Sequence, residues 1–231
     1  MKIALFDIDG TILLAHGAGR RSMERALVAV TGTAGPGGQH YAGKTDRQIV
    51  REAMRSSGFS DADVDARMAD ILEIYLGGLS AELEAQEQER IDVLPGVREL
   101  LDACDAHAGI VLGLLTGNLV TGAGHKLRAV GVDIQRFAVG AFGSDHEDRP
   151  ALAALARDRA CAHLGREVHA SSCVVIGDTP ADVACGQAIG ARTIAVATGN
   201  FTIDELRQCD PHVVFADLSD TTAVMEAIVD G

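Results

Sequence analysis

The sequence predicts an α/β fold: a three-layer sandwich in which helices cover both faces of a mainly parallel sheet, with an all-helical cap domain inserted near its start. Two observations predict this fold. Short apolar runs alternate with amphipathic stretches over most of the chain, an order typical of parallel sheets. One long interval breaks the alternation and is helical in pattern throughout.

Six short runs are apolar or β-branched over most of their length, and we interpret them as buried strands. They are residues 2–6, 110–115, 138–142, 173–176, 193–197 and 212–215. Amphipathic stretches separate most of these runs or follow the last of them, and they predict helices. These stretches are residues 97–106, 119–130, 151–164, 181–189, 203–208 and 221–229.

The interval from residue 15 to residue 95 contains no predicted strand. Helices are expected at residues 22–30, 45–56 and 61–89, with a glycine-rich segment at 31–39. We therefore predict a catalytic core formed by residues 1–14 and 96–231, and a helical cap domain formed by residues 15–95.

Composition limits the classes of partner. Hydrophobic residues make up 47% of the 231 residues, which excludes a disordered chain. The net charge of −13 repels nucleic acid and anionic membranes, so neither is an expected partner. Five cysteines without a C-x-x-C motif, and too few apolar residues at the start for a secretion signal, predict a soluble cytoplasmic protein. No pattern indicates an oligomeric state.

Two aspartates, Asp7 and Asp9, directly follow the first predicted strand in the order D-I-D-G-T. Alternate residues of an extended segment point the same way, so the two carboxylates share a face. Carboxylates placed together repel each other unless a proton or a cation lies between them. A simple turn is the alternative, since Asp and Gly are ordinary turn residues, but it does not explain why both acids follow a wholly apolar strand.

A second pair of acids, Asp178 and Asp182, follows the strand at residues 173–176 in the order G-D-T-P-A-D. Pro180 can open a helix, which places Asp182 in its first turn. Alone, this pattern is equally typical of an N-cap followed by a first-turn acid. Together with the first pair, it predicts a site with oxygen ligands for a hard cation, typical of Mg²⁺ rather than zinc.

A third motif, Thr116-Gly117-Asn118, ends the strand at residues 110–115 and precedes a predicted helix. A hydroxyl, an unhindered glycine amide and a helix N-terminus together can bind a small anion. A simple N-cap is the alternative interpretation.

The three motifs, in this order and each at a strand end, resemble those of the haloacid dehalogenase-like (HAD) superfamily, and within it the phosphoglycolate phosphatase-like hydrolases with a helical cap. The resemblance runs from Asp7 to Asp182. It implies a Rossmann-like core and a Mg²⁺-dependent phosphatase that acts on a small phosphorylated metabolite, such as a phosphoglycolate-like ester. Thr116 and the amides of Gly117 and Asn118 would then bind the phosphoryl oxygens.

The resemblance also implies roles for the four acids. Asp7 would attack phosphorus and form an aspartyl-phosphate, and Asp9 would act as general acid and base. Magnesium would be held by the Asp7 carboxylate, the Asp9 backbone carbonyl and Asp178, while Asp182 would support the metal's water shell or a cationic side chain. Such an ion lets a phosphate approach a very acidic protein.

The phosphate-stabilising cation departs from the pattern of the relatives, which often place a lysine just before a proline. Here that place holds Arg149, followed by Pro150. Lys126, in the helix predicted at 119–130, is the other candidate and is slightly favoured, and a solvated surface charge is the alternative for either residue. Asp145 lies at the same sheet edge and is expected to orient whichever cation serves.

The predicted cap offers candidates for substrate contact. Lys44 and Thr45, in the order G-K-T-D, resemble the cap loop that contacts substrate in these phosphatases, and Arg20 is a further candidate. The same four residues are also typical of an ordinary helix start. Basic residues predominate between residues 20 and 55, where they either form a solvated helix face or lie over a bound anion.

Three functions remain open at this point. The first is a phosphatase, and the second is a phosphomutase of the same superfamily, which must protect its phospho-enzyme from water. A dehalogenase is less favoured, because relatives with that chemistry lack the second acid that Asp9 provides. The third is a catalytically idle binding module, which the presence of Asp7, Asp9 and Asp178 argues against.

Overall fold

A computed structural model describes residues 1–85 and 91–230 of the chain. Its strands are β1 (Lys2–Phe6), β2 (Leu13–Leu14), β3 (Asp92–Val93), β4 (Ile110–Thr116), β5 (Val139–Phe142), β6 (Cys173–Gly177), β7 (Arg192–Val196) and β8 (Val213–Phe215). Its helices are α1 (Ala18–Thr31), α2 (Asp46–Ser56), α3 (Asp61–Ala85), α4 (Val97–Ala106), α5 (Val120–Ala129), α6 (Arg149–Leu164), α7 (Pro180–Ile189), α8 (Ile203–Arg207) and α9 (Thr221–Val229).

Six strands form one sheet in the order β5-β4-β1-β6-β7-β8, and every neighbouring pair in it is parallel. β1 is therefore central, between β4 and β6, where Phe6 is in register with Leu114 and with Ile176. The predicted fold class, an α/β sandwich with a mainly parallel sheet, is confirmed.

The period-two pattern of β1 divides the core into two layers. Ile3 and Leu5 pack in a cluster with residues of α6, while Ala4 and Phe6 pack in a larger cluster with residues of α4 and α9. All four side chains are fully buried. Alternate side chains point to opposite faces of a strand, so an uninterrupted apolar run is what a strand covered on both faces requires.

The long interval after β1 folds into helices α1, α2 and α3, as predicted. The last predicted residues of the third helix, 86–89, lie outside the described residues. One expectation for this interval is wrong: Asp92–Val93 forms a strand, antiparallel to Leu13–Leu14. A two-residue strand is too short to show a period, which is why the sequence pattern did not indicate it. The division into a core (1–14 and 96–231) and a cap (15–95) remains a prediction.

None of the helices in the described residues is both long and apolar enough to span a membrane.

The arrangement of the central strands matters most for function. The carboxyl ends of β4, β1 and β6 are neighbours at one edge of the sheet, and helices α1 and α2 lie near that edge. In such sheets, ligands bind in the crevice outside the carboxyl ends of the strands.

Candidate active site

Three buried carboxylates meet at this edge of the sheet. One oxygen each of Asp7, Asp178 and Asp182 lies within 4.8 Å of the others. Asp7 follows β1, Asp178 follows β6, and Asp182 lies in the first turn of α7. The structure therefore brings together residues that are about 170 positions apart in the sequence, at the spot where the motifs predicted a cation site.

The electrostatics of this cluster favour a cation. Burial, with the charge of Asp182 and Asp9 adding to it, raises the pKa of Asp7 to about 6 despite the nearby Arg149. Burial also raises the pKa of Asp178 well above its usual range, with Asp182 and Asp7 contributing. The buried Oδ1 of Asp7 has no hydrogen-bond partner among the described residues. Carboxylate oxygens in this arrangement fit a hard divalent ion such as Mg²⁺.

The start of α7 fixes the two later acids. Thr179, rather than Asp178, is the N-cap, and it forms a capping box with Asp182, whose Oδ2 accepts from the Thr179 amide at 3.0 Å. The motif therefore does contain an N-cap followed by a first-turn acid, but the N-cap is Thr179, which leaves the Asp178 carboxylate free of that role. The Asp178 carboxylate instead lies against Gly199, where an added Cβ would be 1.8 Å from Oδ2. Its Oδ1 accepts from the Thr11 hydroxyl at 3.3 Å.

Arg149 begins α6 and is buried beside the carboxylates. Its Nη2 lies 3.1 Å from Asp7 Oδ2 and also donates to Asp182 Oδ1. One guanidinium thus links the first motif to the last. Asp145 does not orient it, contrary to expectation: Asp145 forms a two-bond ion pair with Arg159, at 2.7 and 2.8 Å. Arg159 lies about three turns further along α6 and also donates to the Gly140 carbonyl at 2.6 Å, and its pairing with Asp145 was not evident from local sequence.

Lys126, the other candidate cation, is also in the site. Its Nζ donates to both oxygens of Asp9, at 2.8 and 2.6 Å, and to Asn118 Oδ1 at 2.6 Å. Asn118 in turn donates from Nδ2 to Asp9 Oδ2 and to Thr116 Oγ1, both at 2.8 Å. The structure therefore contains both candidate cations, with Arg149 beside Asp7 and Lys126 beside Asp9. The Asp9 side chain belongs to this second group and not to the carboxylate cluster.

The third motif forms a loop rather than the first turn of a helix. Thr116 ends β4, α5 begins only at Val120, and Leu119 is the N-cap. The loop is held by backbone contacts on both sides: the Asn118 carbonyl accepts from Gly143 N at 2.8 Å, and the Gly117 carbonyl accepts from Asp46 N at 2.9 Å.

A cavity of about 820 Å³ lies over these groups. Its lining includes Asp7, Asp9, Thr116, Gly117, Asn118, Lys126, Arg149 and Asp178 from the sheet edge, and Arg20, Tyr41, Lys44 and Tyr75 from the helical interval. A cavity that combines two buried cations with several carboxylates suits a small, highly polar ligand together with a metal ion.

The model of the haloacid dehalogenase-like hydrolase family matches residues 4–187, most of the chain. The chain belongs to this family. The predicted HAD-type hydrolase is thereby confirmed, and the matched residues include all three motifs. No curated protein matches the sequence.

Solved structures share the fold of this haloacid dehalogenase-like hydrolase at low sequence identity. A hydrolase from Pseudomonas syringae is 20% identical, with 99% of both chains covered and a TM-score of 0.73. A predicted phosphoglycolate phosphatase from Haemophilus somnus is 19% identical over 97% of this chain and 98% of that one, with a TM-score of 0.69. CbbY from Rhodobacter sphaeroides, solved with phosphate, is 20% identical over 95% and 96% of the two chains, with a TM-score of 0.64.

The helical interval of the HAD hydrolase contributes Arg20 and Lys44 to the cavity. Arg20 lies over the ring of Tyr41, 4.1 Å from its centroid, and donates to the Gln39 carbonyl at 2.6 Å. Lys44 pairs with Glu52. Thr45, a predicted substrate residue, is not in the lining: its hydroxyl caps α2 and donates to the Glu147 carbonyl at 2.8 Å.

Other basic residues of the interval form ion pairs instead of lining the cavity. The pairs are Arg25 with Glu82, Arg51 with Asp65 and Glu147, and Arg55 with Asp61. The solvated-face interpretation is therefore the better one for Arg25 and Arg55. The Arg51 side chain is only 17% exposed, and Arg20 and Lys44 line the cavity.

Two buried residues near the site were missed by sequence reasoning. Asp46 was considered only as a helix cap, yet its Oδ2 accepts from Leu119 N at 2.9 Å. Tyr75 donates to Asp46 Oδ1 at 3.3 Å and lines the cavity. The position of Asp46 directly after the G-K-T run was the available signal, but a first-turn acid is common in ordinary helices.

Proposed function

We propose that this protein is a Mg²⁺-dependent phosphatase that hydrolyses a small phosphomonoester through an aspartyl-phosphate on Asp7. One observation carries the proposal. Asp7 lines the cavity with Oδ2 held by Arg149, while its buried Oδ1 has no hydrogen-bond partner among the described residues. A buried carboxylate oxygen without a donor is costly unless a ligand or an ion uses it.

The cation site is proposed at the carboxylate cluster. Asp7 and Asp178 would supply hard oxygen ligands, and the backbone carbonyl of Asp9 would add a further one. Asp182, whose nearest oxygen lies within 4.8 Å of theirs, accepts from Arg149 and Thr179 and would support the ion's water shell. A divalent ion bound there supplies positive charge that offsets the acids and the incoming phosphate. In a chain with a net charge of −13, such a local positive charge favours the approach of an anion.

The reaction we propose has two steps. In the first, an oxygen of Asp7 attacks phosphorus, the bond to the ester oxygen breaks, and Asp9 gives a proton to the departing alcohol. In the second step, water attacks phosphorus and Asp9 takes a proton from that water. The bond between phosphorus and the Asp7 oxygen breaks, which regenerates the Asp7 carboxylate and releases inorganic phosphate. Lys126 donates to both carboxylate oxygens of Asp9 and so fixes the orientation of the proposed general acid and base.

The remaining polar groups are proposed to bind the phosphoryl oxygens as charge moves onto them. Arg149 and Lys126 provide positive charge on either side of Asp7 and Asp9, and Thr116 with the amides of Gly117 and Asn118 provides neutral donors. Fixed donors of this kind stabilise a charged transition state without having to reorganise.

The substrate is proposed to be a small phosphorylated metabolite, with a phosphoglycolate-like ester as one candidate. Arg20 and Lys44 line the side of the cavity formed by the helical interval, which we propose is a cap domain of residues 15–95 that covers the bound ester. A cytoplasmic location is proposed as well, and the five cysteines, all free, support it.

The test is turnover of p-nitrophenyl phosphate and of a panel of phosphorylated metabolites, with Mg²⁺ and with EDTA. We expect Mg²⁺-dependent release of phosphate, with a loss of at least about a thousandfold for Asp7→Asn. Asp70→Asn is the matched control, because Asp70 is exposed on α3 and far in sequence from the motifs. Turnover that survives Asp7→Asn would exclude Asp7 as the nucleophile, and no turnover of any ester would favour an idle binding module.

A further inference from the structure

Asp46 is the first residue of α2 but makes its polar contacts outside that helix. Its amide donates to the Gly117 carbonyl at 2.9 Å, and its Oδ2 accepts from the Leu119 amide at 2.9 Å. These two bonds flank Asn118. The residue is 7% exposed, whereas a first-turn acid that only complements the helix dipole usually stays in solvent.

The chain around Asp46 is seated directly on this loop. A Cβ added to Gly117 would lie 2.1 Å from the Lys44 carbonyl oxygen and 2.9 Å from Thr45 Cα. The Thr45 hydroxyl donates to the Glu147 carbonyl at 2.8 Å. The Lys44–Asp46 segment therefore contacts the backbone of two different loops at the sheet edge, and Gly117 allows the close approach.

The second oxygen of Asp46 is held from the other side by a different helix. Tyr75, buried on α3, donates its hydroxyl to Asp46 Oδ1 at 3.3 Å. The Tyr75 hydroxyl and the Lys126 ammonium both lie near Gly19 of α1, where an added Cβ would be 3.9 and 3.6 Å from them. The positive charge of Lys126 favours the ionised form of Asp46, and the negative charge of Asp9 opposes it.

We propose that Asp46 is a positioning residue, which fixes the Gly117–Leu119 segment in the geometry that presents Asn118 and the loop amides to the phosphoryl group. The inference rests on the proposed function. Because α2 lies in the helical interval and the loop lies at the sheet edge, Asp46 can hold the loop only while α2 packs against it. Binding of the phosphoryl group is thereby coupled to the packing of the helical interval against the site.

The variants separate the hydrogen bond from the charge. Asp46→Asn can still accept from Leu119 N through Oδ1 and donate to the Tyr75 oxygen through Nδ2, so it keeps the geometry without the charge. Asp46→Ala removes both bonds of the side chain. Tyr75→Phe removes only the donor to Oδ1. Asp70→Asn and Asp70→Ala make the same changes at an exposed site on α3.

Two readouts are needed. The first is kcat and KM for p-nitrophenyl phosphate, where we expect Asp46→Ala to lose about tenfold or more in kcat/KM and Asp46→Asn to stay within about threefold of the parent. The second is backbone amide exchange at Leu119, measured without substrate, where we expect at least about tenfold faster exchange in Asp46→Ala and parent-like exchange in Asp46→Asn.

The outcomes are distinct. Parent-like exchange and parent-like kcat/KM in Asp46→Ala would overturn the proposal. If Asp46→Ala does not fold, the remaining variants, Asp46→Asn and Tyr75→Phe, are measured instead. A tenfold loss of kcat/KM in Asp46→Asn, with the Leu119 amide still protected from exchange, would show that the charge of Asp46 matters rather than its position. That result would overturn the proposal. Should the parent turn over no phosphate ester, the proposed function fails, while the exchange measurement still tests whether Asp46 fixes the loop.

Discussion

Arg149 Nη2 and Asp7 Oδ2 lie 3.1 Å apart, and both side chains are at least 94% buried. The same guanidinium donates to Asp182. A buried ion pair adds little net stability by itself, but removal of one partner leaves the other charge uncompensated. Arg149 is therefore the group within this cluster whose loss should be most costly to the fold.

We expect Arg149→Met to lower the free energy of unfolding by about 3 kcal/mol or more in EDTA at neutral pH, measured by urea denaturation. Arg149→Lys, which keeps the charge, should lose less. Arg157→Met on the same helix is the control, because the Arg157 side chain is 36% exposed and pairs only loosely with Asp158, at 3.5 Å. Its effect should be within about 0.5 kcal/mol. Equal losses at the two positions would contradict this account.

Magnesium should stabilise the folded protein. A ligand that binds only the native state adds about 2.7 kcal/mol at one hundred times its Kd, so thermal unfolding should shift upward with Mg²⁺ concentration. Asp178→Asn, which removes one of the three clustered carboxylates, should weaken this shift, and Asp70→Asn should keep it. A shift that is unchanged in Asp178→Asn would place the cation elsewhere.

The pH dependence of stability should change when Asp46 is neutralised. Burial raises the pKa of Asp46 from 3.8 to about 6, although Lys126 works against it. The folded state thus binds this proton more tightly than the unfolded chain does, and stability is lost as the pH rises through 6.

Asp46→Asn has no ionisable group at this position, so it does not lose stability in this way as the pH rises. Relative to the parent, its free energy of unfolding should therefore increase by about 1 kcal/mol between pH 5 and pH 7.5. Urea denaturation of both proteins in EDTA measures this, and the other buried acids cancel in the difference. A difference that is constant over this pH range would contradict the raised pKa.

A methyl group at Gly117 should separate α2 from the loop at Gly117–Leu119. The added Cβ would lie 2.1 Å from the Lys44 carbonyl oxygen, so one backbone segment must move. We expect Gly117→Ala to lower kcat/KM at least about tenfold. Gly124→Ala is the control: its Cβ would be no nearer than 4.0 Å to Ile134 Cδ1, and in the interior of α5 it should stabilise by about 0.5–1 kcal/mol. Parent-like activity of Gly117→Ala would mean that the contact is dispensable.

The sheet was predictable because its strands are covered on both faces. Such strands are apolar at every position, and the run at residues 110–115 was recognised to within one residue of β4 (Ile110–Thr116). The acids at the ends of β1 and β6 were predictable for a related reason, since parallel topology places all strand ends at one edge. Topology, more than any local pattern, brings Asp7 to Asp178.

Contacts between distant segments were not predictable from local pattern. Asp46 has the sequence context of an ordinary helix start, and its burial depends on Tyr75 and on the loop at Leu119. Asp145 also follows a strand, three residues after the end of β5, but Arg159 pairs with it from fourteen residues further along. No local property distinguishes a carboxylate that faces the cavity from one that an arginine on the next helix binds.

The short pairing of Leu13 with Val93 determines how the helical interval joins the rest of the molecule. The chain enters and leaves the helical interval at adjacent points, in a two-stranded pairing that is separate from the six-stranded sheet, so the strand order β4-β1-β6 does not depend on what lies between those points. Natural or engineered replacement of that whole segment can therefore alter the lining of the cavity while leaving Asp7 and Asp178 where they are.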